Sequence, residues 1–218
     1  MTYSDAVGIV DLLLSVLTIS FALYLYFKDP LKRWRFLGYR TTIIMAIFDP
    51  ATKDVLLVNH EFGGWQLIQS GLVGDDILAQ LSRGIPREIN VSADHFDLRF
   101  VRTLGTVRNN RTEVVKKSTI GYVSLFNSAR GKGYIAAYIS CNRKDVEEHM
   151  TPGFSILEAQ FVPTPKVMET ISSSGYFSSH DYKRGMYAQI IDDITNYVET
   201  RTRTVERLTR KSFYQHQH

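Results

Sequence analysis

The chain has 218 residues, 44% of them apolar and 22% charged, with a net charge of +4 and a single cysteine. That is the composition of a folded protein, with room for one ordinary globular domain and some extra. Cys141 alone excludes an intramolecular disulfide and fits a reducing compartment, and the mild basic balance suits a small anionic ligand or an acidic lipid surface better than a long nucleic acid.

Residues 6–27, AVGIVDLLLSVLTISFALYLYF, hold no Lys or Arg and one acid, Asp11. As a helix, roughly 22 residues at 1.5 Å each reach about 33 Å, enough for a hydrocarbon core. A mid-membrane Asp costs about 2.5 to 3.5 kcal/mol, while each Leu, Ile, Val or Phe after it returns about 0.3 to 0.6, so insertion wins. Asp11 either snorkels to the interface or faces a partner helix. Tyr24 and Tyr26 lie where interfacial aromatics belong, and Lys28, Lys32, Arg33 and Arg35 follow the span with no basic residue before it. The positive-inside rule then puts the N-terminus outside and everything after Lys28 in the cytoplasm. No charged region precedes the run and no small-residue cleavage site follows it, which argues against a signal peptide. The expectation is a transmembrane helix over 1–28 and a basic juxtamembrane linker over 29–38.

Residues 41–48, the Asp49-Pro50 turn signal and the short apolar run 55–58 predict a β-hairpin. Phe62-Gly63-Gly64 marks another turn, and WQLIQSGLVGDDILAQLSRGIPREINVSADHFDL follows at 65–98. This passage of strands into a glycine loop and a helix resembles the Nudix hydrolases, whose box reads G-x5-E-x7-R-E-U-x-E-E-x-G-U with U a bulky aliphatic residue. In that family the helix glutamates hold divalent metals against a pyrophosphate; the metals neutralise phosphate charge and generate a nucleophilic water, so the carboxylates share one helical face. With the loop one residue shorter, Asp75 matches the loop glutamate, Arg83 the box arginine, Ile85 the first aliphatic position and Glu88 the last helix glutamate. Asn90 and Val91 fall at the closing Gly and aliphatic positions. A rival register starting at Arg87-Glu88 demands glutamates at Val91 and Ser92 and is worse. The resemblance covers about 39–171, with EAQFVPTPKVMETI at 158–171 similar to the family's last strand and helix. It implies the α/β (α+β) class, a Nudix-type mixed-sheet α/β/α sandwich behind an N-terminal transmembrane helix.

Gly84 and Arg87 stand where the family has its other two helix glutamates. One carboxylate beside a cation does not hold the usual metal cluster, and Pro86 costs roughly 3 kcal/mol inside a helix. The box therefore reads as a pseudo-active site with no catalytic residue, metal or cofactor, and its helix is expected to kink or end at Pro86.

Farther on, LRFVRTLGTVR at 98–108 predicts a strand, Asn109-Asn110-Arg111 a turn, and KSTIGYVSLF at 117–126 a central strand. Arg99, Arg102, Arg108, Arg111, Lys116 and Lys117 form a basic cluster that, facing Arg83 and Arg87, makes a metal-free anion site, since guanidinium binds phosphate in bidentate fashion. Phe48, Trp65 and Tyr122 are base-stacking candidates beside a plainer core role. The expected ligand set is Arg40, Trp65, Gln69, Arg83, Arg87, Arg108, Lys116 and Tyr122. RGKGYIAAYIS at 130–140 lacks a following GK[ST] and reads as a hairpin turn rather than a phosphate loop. Residues 145–150 predict a short helix or turn. A Ser-rich linker is expected over 172–180, and a C-terminal helix and tail over 181–218, N-capped by Asp181 with Tyr187, Ile190, Ile194 and Tyr197 at helical spacing. That helix either packs back on the domain or serves oligomerisation.

A single span, a basic link and a divergent Nudix domain together resemble the membrane-tethered Nudix effectors of bacterial cyclic-oligonucleotide antiphage signalling (CBASS). This resemblance implies an antiviral effector of the bacterial inner membrane. Its cytoplasmic domain senses a cyclic di- or trinucleotide, and homo-oligomers of its spans, with Asp11 facing neighbouring spans, disrupt the lipid bilayer. The alternative is a membrane-anchored Nudix hydrolase of nucleoside diphosphate derivatives, taking magnesium through Asp75, Glu88 and an acid such as Glu61 or Glu113. A third reading is a scaffold that uses the fold for protein contacts only.

Overall fold

The computed structural model describes residues 3–72, 76–108, 131–153, 155–197 and 206–207, with the side chains of those between Leu14 and Tyr197. In chain order its helices are α1 (Tyr3–Lys28), α2 (Pro30–Phe36), α3 (Ile77–Ile89), α4 (Arg143–His149), α5 (Thr164–Ser173), α6 (Tyr176–His180) and α7 (Arg184–Thr195). The strands are β1 (Tyr39–Phe48), β2 (Asp54–His60), β3 (Gly64–Gln66), β4 (Ile68–Gly71), β5 (Phe96–Arg108), β6 (Gly131–Cys141), β7 (Ile156–Pro163) and β8 (Glu206–Arg207).

Strand β1 is buried on both faces over 43–48, and such a strand belongs inside a sheet covered on each side. It pairs in parallel with β6, from Tyr39 opposite Gly131 to Phe48 opposite Ser140. Its other edge meets β4 and, at Phe48, β2, both antiparallel. Strand β2 carries β3 and β7, while β6 carries β5 and then β8, which completes one mixed eight-stranded sheet.

Alternation sorts the side chains into two layers. Ile43, Met45 and Ile47 of β1 join Ile135, Ala137 and Ile139 of β6 against Leu81, Ile85 and Ile89 of α3. Ile44, Ala46 and Phe48 join Tyr134, Ala136 and Tyr138 against α5, α6 and α7, through Ile171, Phe177, Tyr187, Ile190 and Ile194. Each such fully buried aliphatic or aromatic side chain contributes about 1.5 to 3 kcal/mol. The sheet between helical layers is the α/β sandwich expected of the sequence.

Several local expectations are corrected. Helix α3 runs through Pro86 without ending, because Pro86 sits in the last turn and the carbonyls around it are tied down. Asn90 N–H donates to Pro86 O at 2.9 Å, Gly153 N–H to Glu88 O at 2.8 Å and Thr151 N–H to Ile89 O at 3.1 Å. Asn90 then closes the helix in the left-handed region at φ 57°. Of the stretch expected as a hairpin turn, 131–140 lie in β6, and their glycines serve close approach. A Cβ on Gly131 would come 2.0 Å from Val107 O, and one on Gly133 2.4 Å from Trp34 Cε3. The stretch expected as a Ser-rich linker ends α5 and forms α6, with Tyr176 and Phe177 buried. Asp181 opens a short 3-10 turn and accepts from Arg184, while Lys183 is the residue before α7. The expected turn at 109–111 and strand at 117–126 lie outside the described residues.

The basic stretch expected as a juxtamembrane linker also folds. Asp29 caps α2 by accepting from Leu31 N–H at 2.9 Å, Pro30 starts it, and Trp34 is buried in the α3-side core. Phe27 and Phe36 meet edge to face at 5.0 Å and join α1 to α2. From Leu14 to Tyr26 the apolar side chains of α1 are exposed, Leu17 at 65% and Tyr24 at 63%. Among the described residues no helix is long and apolar enough to cross a membrane. The first part of the expected span, Asp11 included, lies outside the described side chains.

Candidate functional site

Helix α3 occupies the place of the matched box. Asp76 caps it by accepting from Ala79 N–H at 2.9 Å. Gly84, at the position of the first helix glutamate, faces β1 so closely that a Cβ would come 2.7 Å from Met45 Cε. Gln80 Nε2 donates to Ser70 Oγ at 2.7 Å beside it and ties the helix to β4. Arg83 is exposed and turns back to its own helix, its Nε donating to Ala79 O at 3.0 Å. Glu88 is half-buried; desolvation raises its carboxyl above the ordinary range, against the lowering effect of Arg87 and His60. Among the described residues no group of three or more His, Cys, Asp or Glu is placed to hold a metal. A lone half-buried carboxyl beside an arginine is a poor donor set for magnesium. Asp75 and Glu113 lie outside the described residues, and Glu61 is exposed just past β2.

Positive charge gathers instead on the opposite face of the sheet. Arg40 and Lys132 are register partners in the parallel β1–β6 ladder, and both are exposed. They alternate in phase with Ile44 and Tyr134, so they rise on the side of α5, α6 and α7. Gln69, the partner of Ile44 on β4, donates from Nε2 to Tyr176 OH at 2.8 Å and Tyr187 OH at 2.7 Å. Its Oε1 accepts from Lys183 Nζ at 2.8 Å, and the same ammonium donates to Tyr176 OH at 2.7 Å.

Lys183 is only 5% exposed. Its Nζ lies 5.2 Å from the ring centroid of Tyr176, 5.7 Å from that of Tyr134 and 5.9 Å from that of Tyr182. Among the described residues no carboxylate comes within ion-pair distance of it. Burial first, and Lys132 second, push its ammonium down to about 8. His180 stacks on Tyr176 at 4.7 Å, and burial followed by the charges of Lys183 and Lys132 lowers its imidazole. Tyr134 and Tyr182 bring their hydroxyls 3.3 Å apart over the same place. The ammonium is held by a carbonyl, a phenol and three ring faces, which meet two of its three hydrogen bonds without neutralising its charge.

Of the residues expected to bind ligand, Arg40 lies beside Lys132 in the ladder and Gln69 holds Lys183. Trp65, on β3, packs half-buried against the same layer and its N–H donates to Ser174 Oγ at 3.0 Å. Arg83 and Arg87 belong to α3 on the other side of the sheet. Arg108 ends β5, exposed, with Nε donating to Tyr39 OH at 3.3 Å. Arg99 and Arg102, from the expected basic cluster, are engaged by Asp97 and Asp193. Phe48 is core. Lys116, Tyr122, Arg111 and Lys117 lie outside the described residues. Lys132, His180, Lys183 and the tyrosines around them were not anticipated. Lys132 stood visibly between two glycines, but nothing local marks Lys183 as a buried cation.

No family model and no curated protein matches the chain. Solved structures do. A Nudix hydrolase of M. smegmatis, RenU, shares 14% identity over 67% of this chain and 85% of its own, at a TM-score of 0.42. A C. elegans Ap4A hydrolase shares 9% over 73% of this chain and 98% of its own, at 0.46. A MutT protein from Methanosarcina mazei shares 14% over 72% and 95%, at 0.40. The first of these is a Nudix hydrolase by name, and likeness at this level says nothing of what this chain binds or does.

Proposed function

We propose that the chain is a membrane-tethered, Nudix-like sensor that binds a cyclic di- or trinucleotide without metal and leaves it intact. The supporting observation is on α3, where a metal-dependent box needs carboxylates and this chain has Gly84 seated on Met45 and Arg87 beside Glu88. A phosphodiester anion then has to be met by ammonium and guanidinium groups, which bind it through charge-assisted hydrogen bonds. The apolar run 6–27 of the sequence and the basic residues after it favour an anchor in the bacterial inner membrane with the N-terminus outside. In this reading ligand binding rearranges copies of the domain, α2 carries the change to the spans, and oligomers with Asp11 at their contacts damage the bilayer in antiviral defence.

The second reading, a membrane-anchored hydrolase of nucleoside diphosphate derivatives, is favoured by Glu88, which keeps the last helix glutamate in place and would share magnesium with Asp75. Calorimetry on the full chain in lipid nanodiscs, with a panel of cyclic di- and trinucleotides and with or without magnesium, separates the two. Metal-independent binding with the nucleotide recovered unchanged by chromatography is expected. Magnesium-dependent disappearance of the nucleotide would make this an enzyme.

A further inference from the structure

Lys183 is the one buried cation among the described residues, with two of its three ammonium protons engaged, by Gln69 and Tyr176, and its charge met by no carboxylate. An apolar side chain of its length would fill the same space without desolvating a charge, so stability alone does not account for an ammonium there. A second cation stands near it, Lys132, close enough to depress both Lys183 and His180, and Arg40 is the register partner of Lys132 on β1. Like charges brought to one place, with no carboxylate within ion-pair distance of Lys183 among the described residues, repel one another in the free protein, and a bound anion relieves that repulsion. Tyr182 is 44% exposed at the same place and, with Tyr134, offers neutral donors next to the ammonium.

We propose that this cleft, walled by Arg40, Lys132, Tyr182 and His180 with Lys183 at its back, receives a phosphate group of the ligand, on the face of the sheet away from the box helix. The proposal rests on the nucleotide-binding reading above for the identity of the ligand but not for the place. The phosphoryl oxygens accept from the remaining ammonium proton of Lys183 and from Lys132 and Arg40 at the mouth. On the other face of the sheet Gly133, next to Lys132 in the chain, lies under Trp34 of α2.

The test uses the full chain in phosphatidylcholine nanodiscs, titrated with inorganic pyrophosphate and with a cyclic dinucleotide. Lys183→Gln risks unfolding the polar interior, so the exposed Lys132→Glu is the primary variant. Both probes should bind the wild type, and Lys132→Glu should weaken both by about tenfold or more at a Tm no lower than that of the wild type. Nucleotide binding that Lys132→Glu leaves as tight as wild type, or that Arg87→Ala abolishes in its stead, would overturn the cleft and spare the sensor. Pyrophosphate binding that depends on Lys132, with no affinity for any cyclic nucleotide, would keep the cleft and sink the sensor. Binding of neither probe to the wild type would overturn both.

Discussion

The indole of Trp34 lies flat enough on Gly133 that a Cβ at that glycine would come 2.4 Å from Cε3 and 2.8 Å from Cδ2. Gly133 faces Thr41 across the parallel ladder, so one ring fastens α2 to both central strands. Trp34→Ala should cost about 3 to 5 kcal/mol, because it removes a large aromatic side chain from the α3-side core. For a chain of this size the melting point should fall by roughly 10 °C, read by thermal denaturation. A fragment beginning at Tyr39 should show the same loss, and one beginning at Asp29 should not.

Glycines elsewhere give the contrast. A Cβ at Gly153 would sit 2.2 Å from Arg87 O and 2.6 Å from Glu88 O, both backbone atoms that a rotamer change cannot move. Gly153→Ala should therefore push 151–153 off the end of α3 and cost about 1 to 3 kcal/mol in urea unfolding. At Gly185, inside α7, a Cβ meets nothing within 4 Å. Gly185→Ala should stabilise by up to about 1 kcal/mol, and a loss there would contradict the open surface described.

Lys183 makes stability depend on pH with a defined sign. Its ammonium titrates near 8 in the folded chain against an ordinary 10.5. Between those values the unfolded chain keeps the proton and the folded chain has lost it, so stability rises with pH. The gain should approach at most about 3 kcal/mol. Burial raises the phenols of Tyr134, Tyr138, Tyr176 and Tyr187 above 10, so above that pH the unfolded chain ionises first and stability falls again. Urea unfolding of wild type and Lys183→Met at pH 7, 8, 9 and 10 checks this. The variant should lose the rise between 8 and 10, and parallel curves would contradict it.

Glu88 works in the opposite direction. Its folded carboxyl holds a proton that the unfolded chain releases near 4.5, so ionising it costs stability as pH climbs through that range. Glu88→Gln should be more stabilising at pH 7 than at pH 4 by urea unfolding. If magnesium protects the wild type and not this variant, the hydrolase reading gains its first support.

The two helical layers differ in how far they could be read from the chain. Helix α3 was legible because Leu81, Ile85 and Ile89 recur at one helical face, and β1 because 43–48 is apolar throughout. The path through Pro86 was not, since it depends on partners from 151–153 that are far away in sequence. The glycines of β6 signalled a turn because the backbone of β5 and the ring of Trp34, the true reasons for them, are tertiary neighbours. Arg40 and Gln69 were named as ligand candidates, yet the buried cation that Gln69 holds was missed. Nothing in HDYKRG tells a solvated lysine from one enclosed by Tyr134, Tyr176 and Tyr182.

The parallel ladder between β1 and β6 also sets an order of events during synthesis. Parallel neighbours cannot be joined by a tight turn, and here the second partner is made long after the first. At about 5 to 20 residues per second, roughly 5 to 20 s separate the emergence of Trp34 from that of Gly133. Through that interval β1 is an apolar strand without its main neighbour, and Trp34 has no seat. Any cell making this chain has to keep that stretch from sticking to other nascent chains, whether by a chaperone or by prompt delivery of the segment before it to a lipid phase.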